Sequence, residues 1–90
     1  MLNVEKGDMI RAYDFKPMFG REDCFVEGMV KDVNDTSRGY NAYKIRVAKD
    51  VFDGENLPEG KHSRVMKIVY VPHKVSFSEF AGRVINLSRI

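Results

Sequence analysis

The stretch YNAYKIRVAKDV, residues 40–51, indicates the fold class of this chain. Tyr43, Ile45 and Val47 stand at every second position, with cationic side chains between them. Because successive side chains of a strand point to opposite faces, this spacing predicts an antiparallel strand with one buried and one solvated face. No segment of the sequence carries the apolar spacing of an amphipathic helix of three turns. The sequence therefore predicts an all-β fold.

Four more segments have the composition of strands, and turn residues separate them. Gly28 lies in the middle of one segment, which indicates a sharp bend or the close approach of another backbone. The run Ile68-Val69-Tyr70-Val71 is apolar throughout and indicates a buried strand. The predicted strands are 9–15, 24–33, 40–51, 64–71 and 83–89, and the predicted loops and turns are 16–23, 34–39 and 53–63.

The segment before the last predicted strand carries a helix signal. Ser76 and Glu79 have the spacing of a capping box, and Gly82 can close the turn, which predicts one short helical turn over 76–81. Five strands in so short a chain must curl to bury one face and to hide their edges. We therefore predict a small five-stranded antiparallel barrel. The turn before the last strand favours an SH3-like barrel over an oligonucleotide-binding barrel, and a β-sandwich-like meander is the alternative.

Two short strings resemble SH3 domains. The string AYDF at 12–15 is similar to the Ala-Leu-Tyr-Asp-Tyr strand of that family, and YVP at 70–72, with the helical turn and last strand behind it, resembles the family's C-terminal part. The resemblance implies a barrel. It does not extend to the binding of proline-rich peptides, because the acidic stretch expected after the first string is missing and the chain has no tryptophan.

Length and composition predict one domain over residues 1–90, since 43% of the residues are hydrophobic and 31% are charged, as in ordinary globular proteins. The single Cys24 excludes an internal disulfide framework and suits a reducing compartment. No apolar run reaches the roughly 18 residues of a membrane span, and the first residues lack the apolar core of a signal peptide. We therefore expect a cytoplasmic protein with no membrane partner.

Side chains that carry catalysis are few and scattered in the sequence. Cys24 opens an apolar strand, which indicates a small core or rim residue rather than a nucleophile. His62 and His73 lack the spacing of metal ligands, and glycine-rich phosphate motifs are absent. We therefore expect no enzymatic activity, no metal site, no cofactor and no small-molecule substrate.

Binding is the function class that the sequence favours. The predicted loop 16–23 displays Pro17, Met18 and Phe19, an apolar tip that either folds back on the barrel end or meets another protein. A small barrel can also self-associate along an open strand edge. We therefore expect a binding or assembly module that acts through a protein partner or through self-association.

Nucleic-acid binding is the alternative function. The net charge is only +2, but residues 61–90 hold six Lys/Arg and one acid, whereas residues 1–60 hold nine Lys/Arg and twelve acids. Tyr70, Phe77 and Phe80 are interleaved with the cations of the last third, and single-stranded nucleic-acid sites combine cations with aromatic rings in this way. The candidate nucleic-acid-binding residues are Lys61, Arg64, Lys67, Lys74, Arg83 and Arg89.

Overall fold

A computed structural model describes residues 3–15, 23–74 and 83–89 of the chain. Most of these residues form β-strands, so the all-β prediction is confirmed. The helical turn predicted at 76–81 and nearly all of the loop predicted at 16–23 lie outside the described residues. The elements are β1 (Met9–Tyr13), β2 (Phe25–Asp35), β3 (Ala42–Phe52), β4 (Glu55–Leu57), β5 (Ile68–Pro72), β6 (Val84–Asn86) and a 3-10 helix (Leu87–Arg89).

The long strand β3 is the centre of the sheet. It pairs with β2 along one edge, while β5 and β4 follow one another along its other edge. β1 pairs with the far side of β2, and β6 pairs with the far side of β1. All of these pairings are antiparallel, and the order along the sheet is β4-β3-β2-β1-β6, with β5 also beside β3.

The two ends of the sheet do not pair with one another. Within the described residues, β6 pairs with β1 alone and β5 pairs with β3 alone, so the sheet is not closed. The predicted barrel is therefore not confirmed, and the likeness to SH3 domains stays a prediction.

The prediction that 53–63 is a loop is wrong in its first part, where β4 adds a sixth strand. Asp53 and Gly54 both have left-handed backbone, with φ of 51° and 78°. Phe52 pairs with Glu55, so the turn consists of Asp53 and Gly54 alone. A two-residue turn with both φ angles positive matches the twist of a hairpin, and Asp-Gly is a preferred sequence for it.

Every predicted strand shifts by at least one residue at one end, β2 extends into the predicted turn 34–39, and two of the changes have a clear local cause. β5 begins at Ile68 rather than at 64, because Met66 has a left-handed φ of 70° that interrupts extended backbone. The last predicted strand, 83–89, divides into β6 and the 3-10 helix after Asn86. Both differences lie at ends of elements, where a local change in backbone angle replaces the sheet pattern.

The core lies on one face of the sheet. Ile45 and Val47 of β3 are buried, and Tyr43 packs against them partly buried, as the alternation in the sequence predicts. Cys24 is also buried, as expected for a core position, and its sulfur accepts a hydrogen bond from the Asp53 amide at 3.2 Å. The buried cluster consists of Ile10, Ala12, Val26, Val30, Ile45, Val47 and Val71.

Candidate functional site: the outer face of the sheet

A row of solvent-facing side chains crosses four strands on the face opposite the core. Met9 pairs with Met29, Met29 with Arg46, and Arg46 with Ile68. Directly paired residues of antiparallel strands project from the same face of the sheet, so these four side chains lie side by side. We call this set the outer row.

The outer row is open to solvent at three adjacent strands, and apolar side chains lie on both sides of Arg46. Met29 and Ile68 are each 42% exposed, and Arg46 between them is exposed as well. Met66, which stands two residues before Ile68, is 52% exposed. Large apolar side chains that stay exposed on paired strands, here on either side of Arg46, mark a candidate contact surface.

Cations accompany the outer row along β3. Lys44 precedes Arg46 by two residues, and Lys49 pairs with Glu27 on the same face. Within the described part of the chain, neither Arg46 nor Lys49 has a carboxylate at ion-pair distance. Glu27 is bound to Arg11 instead, with 2.6 Å between Oε2 and Nη2. The outer face therefore offers apolar contact together with the charges of Arg46 and Lys49, which form no ion pair among the described residues.

Arg64, a nucleic-acid candidate, is occupied by internal ion pairs. Its Nη1 and Nη2 donate to the two carboxylate oxygens of Asp14 at 2.8 and 2.9 Å. Its Nε and Nη2 also donate to Asp50 at 3.1 and 2.8 Å, and its amide donates to Asp50 at 2.9 Å. The hydrogen bonds to Asp14 and Asp50 raise the pKa of Arg64. Arg64 thus connects Asp50 of β3 with Asp14, which follows β1. Its guanidinium is already engaged by two carboxylates and is poorly placed to bind a phosphate.

Arg83, another candidate, lies between the two unpaired ends of the sheet. Its guanidinium donates to the carbonyl oxygen of Pro72 at the end of β5, and a longer bond of 3.5 Å reaches the carbonyl oxygen of Tyr13 at the end of β1. Burial lowers the pKa of Arg83, against the opposing effect of the Asp14 charge. Pro72 itself has no amide hydrogen, a property that suits a strand edge without a neighbour.

Arg89, the last of the three arginine candidates, completes a polar clamp at the start of β1. It donates to Asp8 through Nε at 2.8 Å and forms an ion pair with Glu5. Asp8 also accepts a hydrogen bond from the Asn86 side chain at 2.9 Å and one from the Glu5 amide at 2.9 Å. These contacts lower the pKa of Asp8 to about 2, with the bond from Asn86 as the largest cause.

The Asp8 clamp predicts a specific acid sensitivity. The folded pKa of Asp8, about 2, lies below its ordinary 3.8, so the clamp stabilises the fold above the ordinary value and loses that effect as pH falls toward 2. We expect the Asp8→Asn variant to lose less stability than the wild type between about pH 5 and about pH 2, measured as urea midpoints. Glu59→Gln, a change at an exposed loop carboxylate, is the control and should follow the wild type. Equal acid losses in Asp8→Asn and the wild type would contradict the clamp.

The structure thus separates the six predicted nucleic-acid residues. Arg64, Arg83 and Arg89 hold internal contacts. Lys61, Lys67 and Lys74 are exposed.

Tyr70 is the one aromatic residue of the nucleic-acid prediction that lies within the described residues, and its ring already has a partner. The Arg38 guanidinium carbon lies 5.1 Å from the ring centre of Tyr70, and the rings of Tyr43 and His73 are 4.1 Å apart. Phe77 and Phe80, and the predicted protein-binding residues Pro17, Met18 and Phe19, lie outside the described residues.

Two other classes of feature, metal-ligand groups and membrane-spanning helices, can be compared with the described part of the chain. No three His, Cys, Asp or Glu residues there are grouped so that they could hold a metal ion. The described residues also include no helix that is long and apolar enough to cross a membrane.

Comparisons of the chain with protein-family models, with curated proteins and with solved structures find no match.

Sequence reasoning missed the outer row for a definite reason. Met29 stands between Gly28 and Val30, which are both buried, so its exposure agrees with the period-two alternation of a strand. Ile68 was assigned to a buried strand because its run is apolar throughout, yet it is 42% exposed. Only the strand register shows that Met9, Met29 and Ile68 meet.

Proposed function

We propose that this chain is a non-enzymatic protein-binding module that docks a different protein on the outer face of its sheet. The observation that carries the proposal is the outer row, in which Met29 and Ile68 stay exposed on either side of Arg46. Methionine and arginine are enriched in the cores of protein interfaces, and the thioether chain adapts to irregular partner surfaces.

The backbone under the outer row supports a contact role. β3 is paired along both edges where Arg46 lies, with β2 on one side and β5 on the other. A surface on such a backbone loses little conformational freedom when a partner binds, which keeps the entropic cost of association low. The same side chains would gain free energy when a partner removes them from water.

Nucleic-acid binding has weaker support from the same residues. Three of the six candidate cations are committed to internal hydrogen bonds, and the Tyr70 ring already has the Arg38 guanidinium against it. Phosphate binding depends on cations that can replace the counterions of the backbone, and base stacking depends on open ring faces. The crosslinking experiment below distinguishes nucleic-acid binding from protein binding.

Site-specific photo-crosslinking in cells that express the full chain tests the proposal. A benzoyl-phenylalanine residue at position 68 should give a discrete adduct with another protein, whereas the same residue at position 59, in an exposed loop, should not. The adduct should disappear when Met29→Asp is added, because the change removes an apolar contact and places a carboxylate opposite Arg46 that must lose its water on docking.

Each other outcome overturns the proposal. An adduct that survives Met29→Asp, equal adducts at both positions, or none would remove the outer row as the docking site. A nuclease-sensitive adduct would indicate nucleic acid, and an adduct of twice the chain mass would indicate self-association. Circular dichroism and a thermal melt of Met29→Asp establish that the fold is kept.

A further inference from the structure

We infer that the partner of the outer face is an acidic protein segment in which apolar side chains alternate with Asp or Glu. This inference rests on the proposed function and specifies the chemistry of the partner. It depends on the charges beside the outer row and on their state of pairing.

The positive charge of the outer face lies in line along β3. Lys44, Arg46 and Lys49 belong to the same strand and project from the face that carries Met29. A partner that covers Met29 and Ile68 must also cover or approach Arg46, because Arg46 lies directly between them.

Acidic side chains lie near Lys44 but form no ion pair with Arg46 or Lys49 among the described residues. Glu27 is held by Arg11, with 2.7 Å between Nε and Oε2. Asp32 pairs with Lys44 across the strands and accepts the Asn34 amide at 3.0 Å. Within the described residues, Arg46 and Lys49 have no ion-pair partner, so a docked surface must supply carboxylates or leave buried cations unpaired.

A second copy of the chain is a poor occupant of this face. In a symmetric pair the same surface patch serves on both subunits, so each copy would bring the Lys44, Arg46 and Lys49 line against its own image. Like charges held closer than the Debye length, about 8 Å at physiological salt, repel one another with little screening. The charges therefore favour a different molecule with carboxylates at matching positions.

The acidic segment also needs an apolar component. Met29 and Ile68 are each 42% exposed, and a purely acidic chain would leave them without a contact. Charge alone gives attraction that salt removes, whereas the apolar pair gives a contribution that salt leaves in place. On the outer face Arg46 stands between Met29 and Ile68. A partner segment that matches this order therefore has an acidic side chain between two apolar ones.

Selection from a random-peptide display library on the purified full chain tests the partner chemistry. Peptides recovered on the wild type should carry net negative charge and apolar residues. Their dissociation constants, measured by fluorescence anisotropy with the labelled peptide, should rise about tenfold or more in Arg46→Glu/Lys49→Glu. Lys61→Glu, which reverses a charge in an exposed loop, is the matched control and should change them less than twofold.

Salt dependence and a substitution at Met29 separate the contribution of charge from that of apolar contact. Binding should weaken between about 0.1 M and about 1 M salt, as the Debye length falls from about 10 Å to about 3 Å. It should also be lost in Met29→Ser, which removes the apolar contact and leaves the charges of the outer face unchanged. Selection on Arg46→Glu/Lys49→Glu should recover peptides of neutral or basic composition instead.

The failures of the inference and of the proposed function are distinguishable. Peptides that need Met29 but are neutral or basic would overturn the acidic partner and keep the outer row as a docking site. Failure to recover any peptide that needs Met29 would overturn both. A labelled single-stranded oligothymidylate that binds the wild type and not Arg46→Glu/Lys49→Glu would assign the cations to nucleic acid.

Discussion

Substitution of Gly28 by alanine is expected to lower the free energy of unfolding by about 3 kcal/mol. A Cβ atom at this position would lie 2.4 Å from the carbonyl oxygen of Arg46 and 2.9 Å from its carbonyl carbon. Both are backbone atoms of the paired strand β3, so no side chain can rotate away to make room. The two central strands would have to move apart, and every buried contact between them would loosen.

Urea denaturation followed by circular dichroism measures this loss. Gly60→Ala is the matched control, because a Cβ atom there would meet only the Pro58 carbonyl oxygen, at 3.8 Å. That control should leave stability unchanged or raise it by up to about 1 kcal/mol through the entropy of the unfolded chain. Equal stabilities for the two variants would show that β2 and β3 separate without cost at Gly28.

Substitution of Arg64 by methionine is expected to cost about 3 kcal/mol at neutral pH. Asp50 is only 2% exposed, and Arg64 supplies its amide, Nε and Nη2 as donors to that carboxylate. Loss of the guanidinium leaves a buried charge without its main compensation, for which typical costs are about 3–5 kcal/mol. The lower end applies because the Arg64 side chain is 34% exposed and water can reach the vacated space.

The pH dependence of the Arg64→Met deficit identifies Asp50 as its source. In the wild type, burial acts to raise the pKa of Asp50, but the hydrogen bonds and charge of Arg64 outweigh it, so that pKa is lowered. Its stabilising effect is therefore present above the ordinary carboxyl range and is lost as pH falls through the lowered value. In Arg64→Met, burial acts with less opposition and the pKa rises, so acid restores stability relative to the wild type.

Urea midpoints of wild type and Arg64→Met at about pH 7 and about pH 4 test this sign. The difference between the two proteins should shrink at the lower pH. Arg46→Met removes an arginine with no ion pair among the described residues and should stay within about 0.5 kcal/mol of the wild type. A deficit that does not change with pH would attribute the loss to packing of the Arg64 side chain.

The contacts of three arginines explain why the basic charge of the last third of the sequence does not by itself indicate a binding surface. Arg64, Arg83 and Arg89 lie in the last third of the sequence, and acids or carbonyl groups from the first seventy-two residues receive their hydrogen bonds. Charge counted along the chain cannot show this, because strands distant in sequence bring opposite charges together. Arg46 and Lys49, which have no ion pair among the described residues, belong to a segment whose overall charge is negative.

Local residue patterns were sufficient to predict several features of this protein. The alternation of Tyr43, Ile45 and Val47 predicted the core face of β3, and the structure confirms it. Gly28 indicated a close backbone approach, which the Arg46 carbonyl now supplies. These predictions succeed because the side-chain period of a strand and the space around a missing Cβ are properties of a few neighbouring residues.

Tertiary structure decided the features that depend on pairing between distant segments. The Asp53-Gly54 hairpin adds β4, the described sheet stays open between β5 and β6, and three arginines bond to distant parts of the same chain. The outer row exists only because the register sets Met9, Met29, Arg46 and Ile68 opposite one another. A shift of one residue in any of these pairings would send the row to the other face, and no single segment of the sequence contains that information.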